Sequence, residues 1–277
     1  MHHGRRENVR IGRSVAGFQA TGFGIRITTT YLSQQSTAWT ADQPDMEPTP
    51  QRPKQRLEDG DIRIEICTVN DADTIAQGLH ACYGEESWAR KEPQELRPAE
   101  PIRRQRLVQR LMPVLAHGQF TFLKAVLAST GETVGAACWG HPDTKTTHDA
   151  FRRSALAHYG WQSSLGLSDT VVDQMWSGVS SDWESGLEQD DEERARVMQG
   201  EAHWYLALLI TWPAFQGRGV ASRLIRWGLQ RADRGDKATP VYLKTSMKGR
   251  EVYRHYGFAG VGESSMVRRP QGGALMG

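Results

Sequence analysis

From Asp61 onward, the spacing of apolar residues divides the chain into distinct elements. Ile62, Ile64 and Ile66 alternate with polar residues, the period of a strand with one wet face. Asn70 or Asp71 is suited to cap a helix running through about Cys82. A second helix is predicted from Pro101 to Leu111. Proline in its first turn marks a start, and Arg103, Arg104, Arg106 and Arg110 make its wet face. Phe120 to Leu127 and Val134 to Trp139 read as paired strands about the turn Ser129-Thr130-Gly131-Glu132. Trp204 to Ile210 is an apolar run too short for a long helix and rich in strand formers. Ser222 to Leu229 returns to helical spacing.

Two stretches depart from this order. Residues 1–60 are rich in Thr, Ser, Gln, Gly and Pro without sustained periodicity, the composition of a disordered N-terminal tail. Residues 140–200 exceed what a link between the third and fourth strands needs. They read as a helical insertion, with helices over Phe151 to Tyr159, Thr170 to Trp176 and Asp190 to Met198. Insertions of that length are more often functional than idle. Its aromatics, Tyr159, Trp161, Trp176 and Trp183, suit either the lining of a ligand site or a satellite core. Its acidic run, Asp182, Glu184, Glu188, Asp190, Asp191, Glu192 and Glu193, suits a solvated face or the attraction of a cationic ligand.

Between the strand at Trp204 and the helix at Ser222 lies Gln216-Gly217-Arg218-Gly219-Val220-Ala221. A strand, a glycine turn and a helix in that order gather free backbone N–H groups at a helix N-terminus, which suits a phosphate or pyrophosphate. Gly217 and Gly219 allow backbone conformations that a Cβ opposes. The pattern is neither a P-loop, whose lysine is missing, nor a full dinucleotide fingerprint, which disfavours a simple nucleotide-phosphate binder.

Gln216-x-x-Gly219-x-Ala221, preceded by Pro213 and Phe215, resembles the acetyl-CoA signature of the GNAT N-acetyltransferase superfamily. A second block follows at the family's separation: Val241-Tyr242-Leu243-Lys244-Thr245-Ser246, then Val252-Tyr253-Arg254-His255-Tyr256-Gly257-Phe258. The resemblance implies an α/β fold, a mixed and mostly antiparallel sheet flanked by helices. A single domain over about 61–270 would then carry the 140–200 insertion, with 271–277 a flexible C-terminus. Met266-Val267-Arg268-Arg269 would be the last strand, with little chain left for a long final hairpin.

The activity implied is acetyl-CoA-dependent N-acetylation of a primary amine by direct transfer. Leu209, Ile210 and Thr211 would pair with the pantetheine arm through backbone groups. Gln216, Gly217, Arg218, Gly219, Val220, Ala221 and Ser222 would hold the pyrophosphate, with Arg223 adding charge. Tyr253, four before Gly257, matches the family's general acid to the CoA thiolate. Packing of the short helix is the plainer role for Tyr253, and Tyr256 is expected to pack. The general base is open among His203, Tyr205, Glu201 and water, with His203 best placed by intrinsic pKa. In the strand, His203 and Tyr205 share one face and Trp204 and Leu206 the other. No acidic residue lies within this strand, which also admits a non-catalytic CoA-binding regulatory or interaction protein of the same fold.

Composition narrows the setting. A net charge of +2 gives no reason to expect nucleic acid as a partner, so the acceptor is expected to be a small-molecule or peptide amine. Residues 1–41 hold five Arg and one Glu, about +4, leaving about −2 elsewhere. That segment has the composition of a mitochondrial transit peptide, or else precedes a true start at Met46. Cys67, Cys82 and Cys138 lack CxxC spacing and fit buried thiols in a reducing compartment better than disulfides or a metal site. No apolar run approaches a membrane span. The cytoplasm is the expected location, with the mitochondrion as alternative and a homodimer as an open arrangement.

Overall fold

A computed structural model describes residues 55–142, 148–234 and 238–270. The expectations for 1–54 and 271–277 lie outside the described residues. Residues 55–60, assigned by composition to the tail, form a strap against the glycine turn, where the Leu57 N–H donates to Arg218 O at 3.1 Å. The structure of the domain therefore reaches back at least to Gln55.

The first half runs β1 (Ile62–Ile66), α1 (Ala72–Cys82), α2 (Glu85–Lys91), α3 (Glu100–Ala116), β2 (Phe120–Leu127) and β3 (Thr133–Gly140). The insertion follows as α4 (Ala155–His158), α5 (Trp161–Ser164), α6 (Asp169–Trp176) and α7 (Ser181–Met198). Then come β4 (Trp204–Thr211), α8 (Val220–Ala232), β5 (Val241–Lys244), α9 (Arg250–Arg254), β6 (Ala259–Gly260) and β7 (Ser265–Arg268). The seven strands form one sheet in the order β1-β2-β3-β4-β5-β7-β6, antiparallel throughout except for β4 beside β5. A closing hairpin does exist, reduced to a two-residue β6.

Each face of the sheet buries its own core. Leu206, Leu209 and Trp139 face α8, whose Leu224 and Ile225 are fully covered. Burying such side chains stabilises by about 2 kcal/mol each. Tyr205, Ala207, Leu208 and Ile210 face α1, α3 and the insertion. The predicted alternation of Tyr205 against Trp204 and Leu206 holds at the start of β4.

Several expectations need correction. The helix read over Phe151 to Tyr159 is only α4, and α7 begins nine residues before Asp190. α2 escaped the sequence reading because seven residues carry too little period. Arg110 is not on a wet face. It is buried, with Nη2 donating to Glu92 Oε1 at 2.8 Å, and Arg103 meets the other Glu92 oxygen at 2.8 Å. Trp161 and Trp176 are buried in the core that also holds β2 and β4 residues. They fuse the insertion to the sheet, as the packing alternative required. The three cysteines are free, Cys67 and Cys138 buried and Cys82 half-buried.

Candidate active site

An irregularity in β4 creates the site. Cys138 of β3 lies opposite Leu208 and Trp139 opposite Leu206, so Ala207 is an extra residue, a β-bulge. The bulge bends β4, and its parallel pairing with β5 ends where Leu206 meets Leu243. Beyond that point the edge of β4 is open. The Trp212 N–H donates to Val134 O on the β3 side at 3.0 Å. By the alternation of an antiparallel ladder, Leu208 and Ile210 also bond toward β3, while Leu209 and Thr211 turn their N–H and C=O outward. Thr211 O accordingly accepts from Cys82 Sγ at 3.2 Å and Gln216 Nε2 at 3.1 Å.

The glycine turn follows. Gly217 (φ +77°) and Gly219 (φ +86°) are both left-handed, and Val220 begins α8 directly after. A Cβ on Gly219 would stand 3.0 Å from Arg223 Nη1 and 3.2 Å from Arg56 Nε. Glycine thus leaves room for these two guanidinium groups beside the N-terminus of α8, where its N–H groups converge. Leu209 to Thr211, Gln216, Gly217 and Gly219 to Ser222 line one cleft of about 390 Å³, together with Val252, Tyr253 and Gly249 on the facing side. A Cβ on Gly249 would overlap Thr245 Oγ1, so glycine keeps this wall clear.

Arg218 and Arg223 do not line the cleft. Arg218 Nε donates to Gln55 O at 3.2 Å, and Arg223 Nη2 reaches Leu57 O at 2.8 Å and Asp59 at 3.0 Å. Both hold the strap. The strap in turn brings Arg56 over the turn, the only charged residue lining the cleft among the described residues. Sequence reasoning missed Arg56 because it sat in a segment without periodicity.

Tyr253 on α9 is 1% exposed and lines this cleft. Its ring packs edge-on to Phe258 at 5.7 Å. Burial pushes the phenol well above its ordinary range, and the nearby Tyr83 phenol adds to the shift. Tyr253 is therefore a neutral hydrogen-bond donor at any physiological pH. Tyr256 packs against the α8-side core.

The three residues considered as bases lie elsewhere. His203 precedes β4, with Nδ1 2.7 Å from Glu201 O and its ring 6.2 Å from that of Tyr242. Burial lowers its pKa. Five residues of strand, roughly 16 Å, separate it from Leu208. Glu201 pairs with Arg269. Tyr205 donates to Asp149 at 2.9 Å beneath the Arg194 guanidinium, 3.8 Å from its ring. None of them lines the cleft.

The acidic run of α7 is only partly a solvated face: Asp182, Glu188 and Glu192 are exposed. Asp190 and Asp191 are buried. Asp191 accepts from Arg152 at 2.7 Å and Arg194 at 2.8 Å, and Lys244 of β5 pairs with both Asp190 and Glu193. Asp191 and Glu193 clamp the insertion to the sheet through charge-assisted bonds, and Asp190 adds a buried hydrogen bond to Lys244.

On the insertion side of β4 lies a second hollow, a narrow cavity of about 70 Å³ with mostly apolar walls. Leu208 lines it, and Tyr83 is a wall common to it and the cleft.

Residues 190–269 match the family model described as an acetyltransferase (GNAT) domain. No curated protein matches the sequence. Among solved structures, a histone-acetyltransferase-related protein of Corynebacterium glutamicum is similar at 22% identity. The match covers 76% of this chain and 97% of that one, with a TM-score of 0.50. A polyamine N-acetyltransferase of Drosophila melanogaster is 16% identical over 76% of this chain and 100% of its own, with a TM-score of 0.45. An arylalkylamine N-acetyltransferase of Aedes aegypti is 16% identical over 72% and 82%, with a TM-score of 0.41. At 22% identity the first of these likenesses speaks to the fold alone.

Proposed function

We propose that this protein transfers an acetyl group from acetyl-CoA directly to a primary amine, a reading supported by the match of residues 190–269 to the GNAT acetyltransferase model. The single observation that carries this reading is the cleft where the splayed edge of β4, the glycine turn and Tyr253 converge. Thiolate departure needs a donor there, and an extended amide-bearing arm needs an open strand edge.

In this reading the pyrophosphate lies on the N–H groups at the start of α8, and the pantetheine arm adds to β4 through Leu209 and Thr211. An outward N–H of that segment polarises the thioester carbonyl. The neutral amine attacks the carbonyl carbon, forming C–N as C–S breaks. Tyr253 gives its proton to the departing sulfur, and the proton shed by the nitrogen returns to the phenolate through solvent. No carboxylate lines either hollow among the described residues, so the amine enters as its free base.

Calorimetric titration with acetyl-CoA tests the first half, and thiol release over a panel of amines tests the second. Micromolar binding with amine-dependent release is expected. No binding would defeat the assignment, and binding without release from any amine would leave a CoA-binding protein that does not catalyse.

A further inference from the structure

The second hollow has an unusual electrostatic make-up for a site that would receive an amine. Its walls come from Leu79, Trp88, Leu107, Phe151, Leu187 and Leu208, and every charged residue lining it is a cation: Arg90, Lys91 and Arg110. Glu92 neutralises Arg110 from behind, and Arg110 Nη1 bonds Met175 O at 3.3 Å. Lys91 differs. Its ammonium sits between two indoles, 5.6 Å from the ring centre of Trp88 and 5.6 Å from that of Trp183. No carboxylate among the described residues comes within ion-pair distance of it. Burial depresses its pKa to about 8 and the Arg110 charge adds to the effect, against an opposing pull from Glu92, Glu184 and Asp149, which lie nearby without pairing with it.

Unpartnered donors surround the same space. Trp88 is 7% exposed and its Nε1–H has no acceptor. Arg110 is 6% exposed with Nε unpaired, and the buried Tyr83 hydroxyl also lacks a partner. Burying such donors unpaired costs about 1–3 kcal/mol each. A bound group that accepts several hydrogen bonds and carries negative charge relieves both the unpaired donors and the unpaired ammonium. Arg110 is paired with Glu92 and Arg90 with Glu86, so the charge a ligand meets in this hollow is the Lys91 ammonium, and no carboxylate among the described residues lines the hollow to receive a polyamine.

We propose that the acceptor is an amine with an apolar body and a carboxylate, an apolar amino acid in chemical class, whose carboxylate is received by Lys91 between Trp88 and Trp183. The apolar walls hold the body, and the amine is directed past Tyr83, the wall common to both hollows, toward the thioester. This inference rests on the acetyltransferase reading, deepens it by naming the acceptor, and can be tested apart from it.

Matched pairs decide the question: phenylalanine against 2-phenylethylamine and leucine against isopentylamine, with spermidine as a cationic control. In full-length protein with acetyl-CoA, kcat/KM for the carboxylate-bearing member is expected to exceed that of its partner at least tenfold. Lys91→Met, which keeps an apolar stem between the indoles, should reduce that ratio to twofold or less, and Lys91→Arg should restore most of it. Calorimetry of the same pairs against the CoA complex reads the preference even if nothing turns over. Failure of the acetyltransferase reading thus appears as absent CoA binding or absent release, separately from this inference. Preference for the decarboxylated amine or spermidine would overturn it, as would an unchanged ratio in Lys91→Met.

Discussion

The two hollows that share Tyr83 as a wall are made of different material. The cleft is walled largely by main chain: the open edge of β4, a turn with two left-handed glycines, and the first turn of α8. The cavity on the other side is walled by side chains drawn from α1, α2, α3, α7 and β4. Main-chain walls suit what never varies, which in the proposed function is the diphosphate and amide arm of a common donor. Side-chain walls can be exchanged without disturbing the sheet. Donor and acceptor recognition are therefore separable in this molecule, and substitutions should split along the same line.

The sharpest split is expected in the cleft. Tyr253→Phe removes one hydroxyl from a fully buried ring. It should lower kcat by roughly 10²- to 10⁴-fold, the usual worth of a positioned acid, while acetyl-CoA affinity and acceptor KM stay within about twofold. Thiol release and calorimetry read the two sides, and unchanged turnover would leave the tyrosine as packing. Next in size is Gly219→Val. A branched side chain at φ +86° is strained and meets Arg223 and Arg56. Acetyl-CoA affinity should fall on the order of tenfold to a hundredfold, with acceptor binding to the cavity intact. A parallel loss of acceptor affinity would mean the hollows are one site.

That same contrast explains what the sequence could reveal. Gln216 to Ala221 and the block ending at Phe258 were legible because backbone geometry demands particular residue types at fixed spacing. A left-handed position asks for Gly219, whatever surrounds it. The outward-facing groups of Leu209 and Thr211 followed from the strand, although the bulge at Ala207 that frees them leaves no mark in an all-apolar run. Lys91, Trp88 and Arg110 meet only after α2 and α3 have packed; in the sequence Arg110 reads as part of a wet face, and no pattern singles out Lys91 or Trp88. Asp190 and Asp191 misled for the same reason. Their partners Arg152 and Lys244 are distant in the chain, so a buried clamp looked like a wet face. His203 had the right chemistry at the wrong end of its strand.

The buried clamp makes its own pH signature, one that an acceptor-attracting surface would lack. Burial raises Asp190 to about 7, above the ordinary value near 3.9 that it regains on unfolding. Between those values the native state keeps a proton that the unfolded chain has released. Stability from this group is thus complete below about pH 4 and is lost as pH rises to about 7. Asp190→Asn stays neutral throughout. Its Tm should match the wild type near pH 4 and exceed it by a few degrees near pH 8. Scanning calorimetry across that range checks it, and parallel curves would return the run to solvent.

The smallest expected effect tests whether any side chain takes part in donor recognition. Arg218 and Arg223 are committed to the strap, which leaves Arg56 as the cation on the cleft. It is exposed, so its contribution is screened by salt. Arg56→Ala should weaken acetyl-CoA by about fivefold at low ionic strength and by less in high salt. Acetylpantetheine, which carries the thioester arm without the phosphates, separates the two ways this could arise. If Arg56 acts on phosphate, the truncated donor binds wild type and variant alike. If its loss instead loosens the strap and the turn beneath it, both donors weaken together. The second outcome would place donor recognition wholly in the main chain, and the contrast between the two hollows would become complete.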